Sequence, residues 1–346
     1  MKTPFRPGLL SILILALLLT LPLSAAATTL KIATAIPDGT NWMKQLRQGA
    51  ADIKKRTDGR VKVRFYPGGV MGNDNSVLRK IKVGQLHGAA LTGGSLSKIY
   101  PSSQIYSLPF TFRDYAEVDY VRGKMDASIV QGLYDKGYVS FGISEGGFAY
   151  LLSRAPVTAT SDLAARKIWI PEGDRINQES FAQFGISTIQ LAMTDVLTAL
   201  QTGLIDTVAT TPVGAIALQW HTRVKYLTDA PLLYVTGTIV VKRRAFEKLQ
   251  TADQAIVREV MGDVFQRLNR INREDNRKAY EALKQQGIEF VRPTPAEIAE
   301  WRGGSQRAVA KLVKDGYLHQ SIIDTFQHHL ADYRASHPKT NVADAR

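Results

Sequence analysis

The residue types needed for catalysis are present in this chain, but they do not fall into a working arrangement. A hydrolase needs a nucleophile, a base that takes its proton and a group that orients the base. No Gly-x-Ser-x-Gly elbow occurs, and none of the six histidines neighbours a serine that would serve. His328 and His329 are adjacent on a predicted helix, so their rings are expected on different faces, unable to clamp one metal. Gly93-Gly94 lacks the Lys-Ser/Thr that completes a phosphate loop, and no His-Glu-x-x-His or carboxylate cluster appears. With no cysteine, disulfides, thiolate chemistry and cysteine-ligated metals are excluded. The expectation is a protein that is not an enzyme, with no catalytic residue, metal or cofactor.

Charge and the N-terminus narrow the class further. Lys2 and Arg6 precede an apolar run from Leu9 to Leu23, followed by Ser24-Ala25-Ala26-Ala27. That order predicts a cleaved secretory signal over 1–27, and the run is short of the roughly 20 residues that span a bilayer. Removing Lys2 and Arg6 lowers the formal net charge of +13 to +11. The remaining cations are dispersed, as in Lys54-Lys55-Arg56 and Lys242-Arg243-Arg244, without interleaved aromatics. They read as a solvated surface and not as a nucleic-acid face. The expected location is the periplasm.

Strands and helices then alternate. Thr29–Thr34 is a short apolar β run, and Trp42–Arg56 places Met43, Leu46, Ala50 and Ile53 at helical spacing. Val61–Tyr66 alternates with period two, Asn75–Val83 is a helix closed by Gly84, and His87–Leu91 is the next strand. A second set follows: Lys167–Ile170, Ile176–Phe184, Ser187–Leu191, Thr194–Thr202 and Leu204–Ala209. Residues 251–286 form the longest helical stretch, with Thr251 as its expected N-cap, and at about 1.5 Å per residue reach roughly 50 Å. The β-α-β order predicts two α/β lobes, each a mainly parallel sheet flanked by helices, with a long bracing helix.

Six stretches, in order, resemble the substrate-binding subunit of tripartite ATP-independent periplasmic (TRAP) transporters. They are Leu30-Lys-Ile-Ala-Thr-Ala-Ile-Pro-Asp-Gly39, Tyr66-Pro-Gly-Gly-Val-Met-Gly72, Val83-Gly-Gln-Leu86, Leu108-Pro-Phe-Thr-Phe-Arg-Asp-Tyr115, Asp162-Leu…Lys167-Ile-Trp-Ile-Pro171 and Ala199-Leu-Gln-Thr-Gly-Leu-Ile-Asp206. The resemblance implies a two-lobe periplasmic solute-receptor fold that closes on a small-molecule ligand and delivers it to membrane permease subunits driven by an ion gradient. It implies lobe I over 28–151 plus about 239–275, lobe II over 152–238 plus about 276–346, and a ligand cleft between them.

The chain departs from that family where the ligand is met. Most members hold a carboxylate with an arginine in a motif ending Ile-Arg-x-Pro, whereas this chain reads Ile168-Trp169-Ile170-Pro171. A second arginine commonly follows a Gly-Phe pair, but here Gly147-Phe148 is followed by Ala149 and Tyr150. An asparagine before a proline is replaced by Thr211-Pro212. The expectation is a ligand with a sizeable apolar or aromatic body, covering up to about 200 Å² of Trp169. Phe148, Tyr150, Met193, Thr211, Pro212 and Tyr234 are expected around it. Trp42, with the Gly94-Ser95 turn, is expected at the carboxyl ends of the first lobe's strands. Glu172 and Asp174 are candidates to face a polar or cationic group.

Two alternatives stay open. Arg175, Arg154, Lys98 or Arg223 would hold an organic anion from another wall, or the chain would act as a stand-alone carrier or sensor input. On the opposite face of its strand, Trp169 would instead point into the core of the second lobe.

Overall fold

A computed structural model describes residues 27–338. The secretory signal predicted over 1–27 lies outside the described residues except for its last position, as does most of the C-terminal tail.

The first half begins as the patterning predicts. Strand β1 (Thr28–Ala33) leads into helix α1 (Asn41–Arg56), whose N-terminus is capped where Thr40 Oγ1 accepts from the Met43 N–H at 3.2 Å. Met43, Leu46 and Ile53 are buried along one stripe, and Lys54, Lys55 and Arg56 oppose the negative end of the helix dipole. Strand β2 (Val61–Tyr66), helix α2 (Asp74–Lys82) and strand β3 (Gly88–Thr92) follow, with Asn73 capping α2 through a 3.0 Å bond from the Ser76 N–H. Helix α3 (Tyr115–Asp135) and strand β4 (Tyr138–Ser140) lead to the long crossing strand β5 (Ser144–Ser153).

The second half repeats the style. Strand β6 (Ile168–Pro171), helix α4 (Arg175–Ala182), strand β7 (Thr188–Leu191), helix α5 (Val196–Thr202), strand β8 (Thr207–Thr210) and helix α6 (Pro212–Ala217) build it. Strand β9 (Tyr226–Lys242) then runs back into the first half. Helix α7 (Thr251–Gln285), strand β10 (Glu289–Val291) and helices α8 (Pro295–Lys314) and α9 (Gln320–Ser336) complete the described chain. Thr251 is the first residue of α7, and the cap position is Gln250, without a side-chain bond.

Hydrogen bonding orders the strands β2-β1-β3-β9-β5-β8-β6-β7, with β4 and β10 also on β9. The outer trios are parallel, as βαβ crossovers demand, and the long strands β5 and β9 run antiparallel between them. The result is a two-lobe α/β fold, its lobes joined by the two crossing strands.

Each lobe carries its own core. Leu30, Met43, Leu46, Val241 and Phe246 pack with Val260, Val264 and Leu268 of α7 in the first. Leu152, Trp169, Leu200, Trp220 and Leu227 pack with Leu283 of α7 in the second. The 35 residues of α7 span roughly 52 Å and serve both cores, so this helix is the brace that the long pattern predicted. Its approach to α1 depends on Gly49, where a Cβ would sit 2.7 Å from Val264 Cγ2. Helix α8 packs on α4, whereas α9 packs on α3 of the first half.

Candidate functional site

A cavity of about 290 Å³ lies where the carboxyl ends of β1, β3 and β6 converge on the crossing strands. Its size suits a small molecule, and its place between two lobes is a common one for ligand sites. Ile36, Pro37, Trp42 and Leu91 line it from the first lobe. Ile170, Met193 and Leu218 line it from the second, and Leu233 and Val235 from β9. The wall is therefore largely carbon, with no Lys or Arg among the described residues that line it.

The polar groups in the wall are mostly acids. Asp74, Glu145, Asp174 and Asp275 line the cavity. Glu145 is neutralised: its carboxylate, fully buried, accepts from Arg273 Nε and Nη2 at 2.7–3.0 Å, with Arg122 Nη1 at 3.8 Å. Asp74 accepts from Ser95 Oγ, and Asp275 accepts from Asn41 Nδ2 at 2.9 Å.

Asp174 is different, being both buried and without a cation. Oδ1 accepts from the Asn177 N–H and from Gln104 Nε2, both at 3.2 Å, and Oδ2 accepts from Asn177 Nδ2 at 2.6 Å. Burial pushes its carboxyl above the usual carboxylate range, against these hydrogen bonds. It occupies this place because Gly173, at φ +85°, turns the chain after β6 so that Asp174 becomes the N-cap of α4. Gln104 is held in turn by Tyr317, whose hydroxyl donates to Oε1 at 3.0 Å.

The lobes meet beside the cavity. Asn75 Nδ2 of α2 donates to Glu172 Oε2 at 2.6 Å, and Lys98 Nζ donates to Asn75 Oδ1 at 2.6 Å. Gly94 permits the approach, since a Cβ there would stand 3.2 Å from Pro171 Cβ and 3.3 Å from Asp174 Cβ.

Six of the expected positions line the cavity: Trp42, Gly94, Trp169, Asp174, Met193 and Thr211. Trp169, however, is only 3 % exposed. Its ring packs in the second lobe's core, edge-on to Trp220 at 5.1 Å, and its indole N–H donates to the Leu191 carbonyl at 3.0 Å. The roughly 200 Å² of ligand-facing indole expected from the sequence is therefore corrected: most of that surface is already covered by protein. Thr211 spends its hydroxyl on the α6 cap, accepting from the Gly214 N–H at 3.2 Å. Trp42 is partly exposed, whereas the other tryptophans of the wall, Trp169 and Trp220, are buried.

The other six do not line it. Phe148 and Tyr234 are cross-strand partners, edge-on at 5.4 Å, in an aromatic cluster with Tyr115 on the far side of the crossing strands. Tyr150 packs on Tyr280 at 5.5 Å, and Pro212 is the buried first residue of α6. Ser95 turns to Asp74, and Glu172 to Asn75. Phe148 and Tyr150 flank the inward-facing Ala149, so alternation points both away, in a ladder with register shifts between Glu145 and Gly147 and between Ala149 and Leu151. The first shift breaks the alternation of residues facing the cavity, and its only sequence signal is the glycines at 146 and 147.

The relocated cations also fall elsewhere. Arg175 lies over the Tyr317 ring at 4.6 Å, Arg154 is bound to backbone carbonyls, and Lys98 reaches Asn75. Neither these nor Arg223 lines the cavity. The histidine reading is corrected as well: ligand atoms of His328, His329 and Asp332 lie within 4.8 Å of one another on α9. They do not line the cavity.

The profile of the bacterial extracellular solute-binding proteins, family 7, matches residues 32–315. The chain belongs to this family. As a family 7 protein of the TRAP type it is a solute-binding receptor and not an enzyme. It is 27 % identical over 277 residues to a solute-binding protein of Verminephrobacter eiseniae, covering 78 % of this chain and 80 % of that one. It is 24 % identical to the C4-dicarboxylate-binding periplasmic protein DctP of Rhodobacter capsulatus, covering 83 % and 87 %.

Solved structures share the family 7 fold. A TRAP periplasmic solute-binding protein of Desulfovibrio salexigens with bound orotic acid superposes with a TM-score of 0.80 at 20 % identity, covering 88 % of this chain and 99 % of that one. The sugar acid binding protein DctPAm of Advenella mimigardefordensis, in complex with galactonate, gives 0.81 at 18 % identity, covering 89 % and 99 %.

Proposed function

We propose that this receptor works in the periplasm, captures a ligand with a sizeable apolar or aromatic body in the inter-lobe cavity, and delivers it to an ion-gradient-driven TRAP permease. The single observation that carries the ligand reading is the wall itself: largely carbon, with no Lys or Arg lining it. A carboxylate moved from water into such a site without a cationic partner loses several kcal/mol of solvation. An apolar body gains about 25 cal/mol for each Å² it hides there. Trp42 and Met193 are the contacts we assign to that body. The lobes we assign are 28–151 plus about 239–275, and 152–238 plus about 276–346. Within the second assignment α9 is a strap across to α3.

A second reading takes its support from the relatives. One carries a C4-dicarboxylate in its name, and solved structures hold orotic acid and galactonate, so an organic acid is the alternative ligand class. It requires a cation that enters the cavity on binding. A stand-alone carrier or sensor input would show itself by the absence of permease genes beside this one.

Native mass spectrometry of the protein purified from the producing cell tests the ligand class. The expected result is a co-purified adduct with an apolar or aromatic body. A dicarboxylate or sugar acid in that place overturns the reading.

A further inference from the structure

Resting on the proposed apolar-bodied ligand, a further property of the same cavity concerns the charge of the ligand's polar end. Four carboxylates line the wall, and only Glu145 has ion-pair partners. Asp174 is 6 % exposed and held by neutral donors alone. An ionised carboxylate offers about four lone-pair sites, and Asp174 uses three of them, which leaves acceptor capacity on Oδ2. Independently, Ser144 lines the same cavity from β5, is 3 % exposed, and its Oγ has no hydrogen-bond partner. A buried hydroxyl is rarely left unsatisfied, so an orphan in a ligand cavity points to a partner brought by the ligand.

The electrostatics set the sign. A buried acid held only by neutral donors still bears the cost of desolvation, and a cation placed beside it repays that cost. An incoming carboxylate would add a like charge to the same wall. The protein's net positive charge does not alter this, because its cations lie outside the lining.

We propose that the cavity recognises a protonated nitrogen on an apolar or aromatic body, with Asp174 as its acceptor and Ser144 Oγ as a second polar contact. The ligand class is thus an organic amine, in place of the acids named for relatives. Asn75, Glu172 and Gln104 close the lobes beside Asp174, so the acceptor is sealed from water once the ligand is inside.

The test is calorimetric titration of the purified mature protein with three compounds that share one phenyl-ethyl body: phenethylamine, 3-phenylpropionamide and 3-phenylpropionate. The amine is expected to bind at least tenfold more tightly than the carboxylate, with the amide between. Asp174→Asn keeps a capping acceptor for α4 and is expected to unfold cooperatively. It should weaken the amine at least tenfold and the amide less than threefold. Ser144→Ala should weaken amine and amide by similar small factors. Equal binding of all three compounds, or preference for the carboxylate, overturns the assignment and leaves the apolar-body reading standing. Failure of all three to bind overturns that reading and this proposal with it. An Asp174→Asn variant that binds the amine as wild type does removes Asp174 from the site.

Discussion

The indole N–H of Trp169 donates to the carbonyl oxygen of Leu191 at 3.0 Å, across the outer pair of parallel strands. Trp169 therefore belongs first to the second lobe's core and only by one edge to the cavity. Trp169→Phe is expected to cost about 1–3 kcal/mol by stranding the carbonyl, and Trp169→Ala about 3–5 kcal/mol by opening a void. Trp169→Arg buries an unpaired guanidinium and should destabilise the fold instead of creating an acid site. Urea unfolding measures all three, and unchanged midpoints would place the ring outside the core.

Trp42 should behave in the opposite way. It packs partly against the first lobe's core while lining the cavity. Trp42→Ala is expected to weaken binding of the co-purified ligand by about tenfold or more, since roughly 1.4 kcal/mol of apolar contact is enough for that factor. In wild type, ligand addition should perturb tryptophan fluorescence, and Trp42→Phe should remove most of the change. A ligand-induced signal that survives in Trp42→Phe would contradict this.

The 2.6 Å bond from Asn75 to Glu172 joins the two lobes beside the cavity. Bonds to charged groups contribute about 1.5–3 kcal/mol when buried, and partial exposure here reduces that to about 1 kcal/mol. Glu172→Gln should therefore speed ligand dissociation by about fivefold with little change in association rate. Stopped-flow rates for both single variants and the double variant check the coupling. Additive effects would show that the two side chains do not act as a latch.

Glu145 is buried between two arginines, each of which has a second carboxylate, Asp119 for Arg273 and Asp126 for Arg122. Glu145→Gln is expected to cost about 1–3 kcal/mol, because hydrogen bonds to a buried charged group are weakened while Asp119 and Asp126 still compensate Arg273 and Arg122. Thermal unfolding should show it as a clear fall in midpoint. A loss below about 1 kcal/mol would mean that water reaches the cluster.

His87 gives the fold a pH response of known sign. Burial, with the nearby charges of Lys31 and Lys248, holds its ring below the ordinary histidine value of 6.5. Its Nδ1 accepts from the Lys31 N–H at 3.0 Å and must stay unprotonated to do so. The folded pKa lies below the unfolded one, so stability is lost as pH falls through about 6.5 towards the folded value. Between pH 7.5 and 5.5, wild type should lose more stability than His87→Asn. Parallel curves for the two proteins would refute the assignment.

Much of the fold is legible in the sequence. The spacing of Met43, Leu46 and Ile53, the period-two run Val61–Tyr66, the stop at Gly84 and the proline-free stretch ending at Gly287 are local signals, and local signals are what hydrogen-bond geometry and capping read. The ordered motifs likewise led to the family, and zero cysteines excluded thiolate chemistry.

Which side chains meet in the cavity was decided by long-range pairing. Strand alternation around Ala149 points Phe148 and Tyr150 away, and the register shift between Glu145 and Gly147 lets Ser144, Glu145 and Gly146 line the cavity in succession. Of the two acids that the sequence offered after the strand, Asp174, following the positive φ of Gly173, lines the wall, whereas Glu172 turns to Asn75. Trp169 illustrates the boundary most clearly. Its position in the strand was readable from the sequence, but whether its ring served a ligand or a core depended on Trp220 and Leu191, neighbours brought there by tertiary packing and not by the chain on either side of it. A side chain's face follows from local periodicity only while the ladder stays in register, and every bulge or glycine turn resets it.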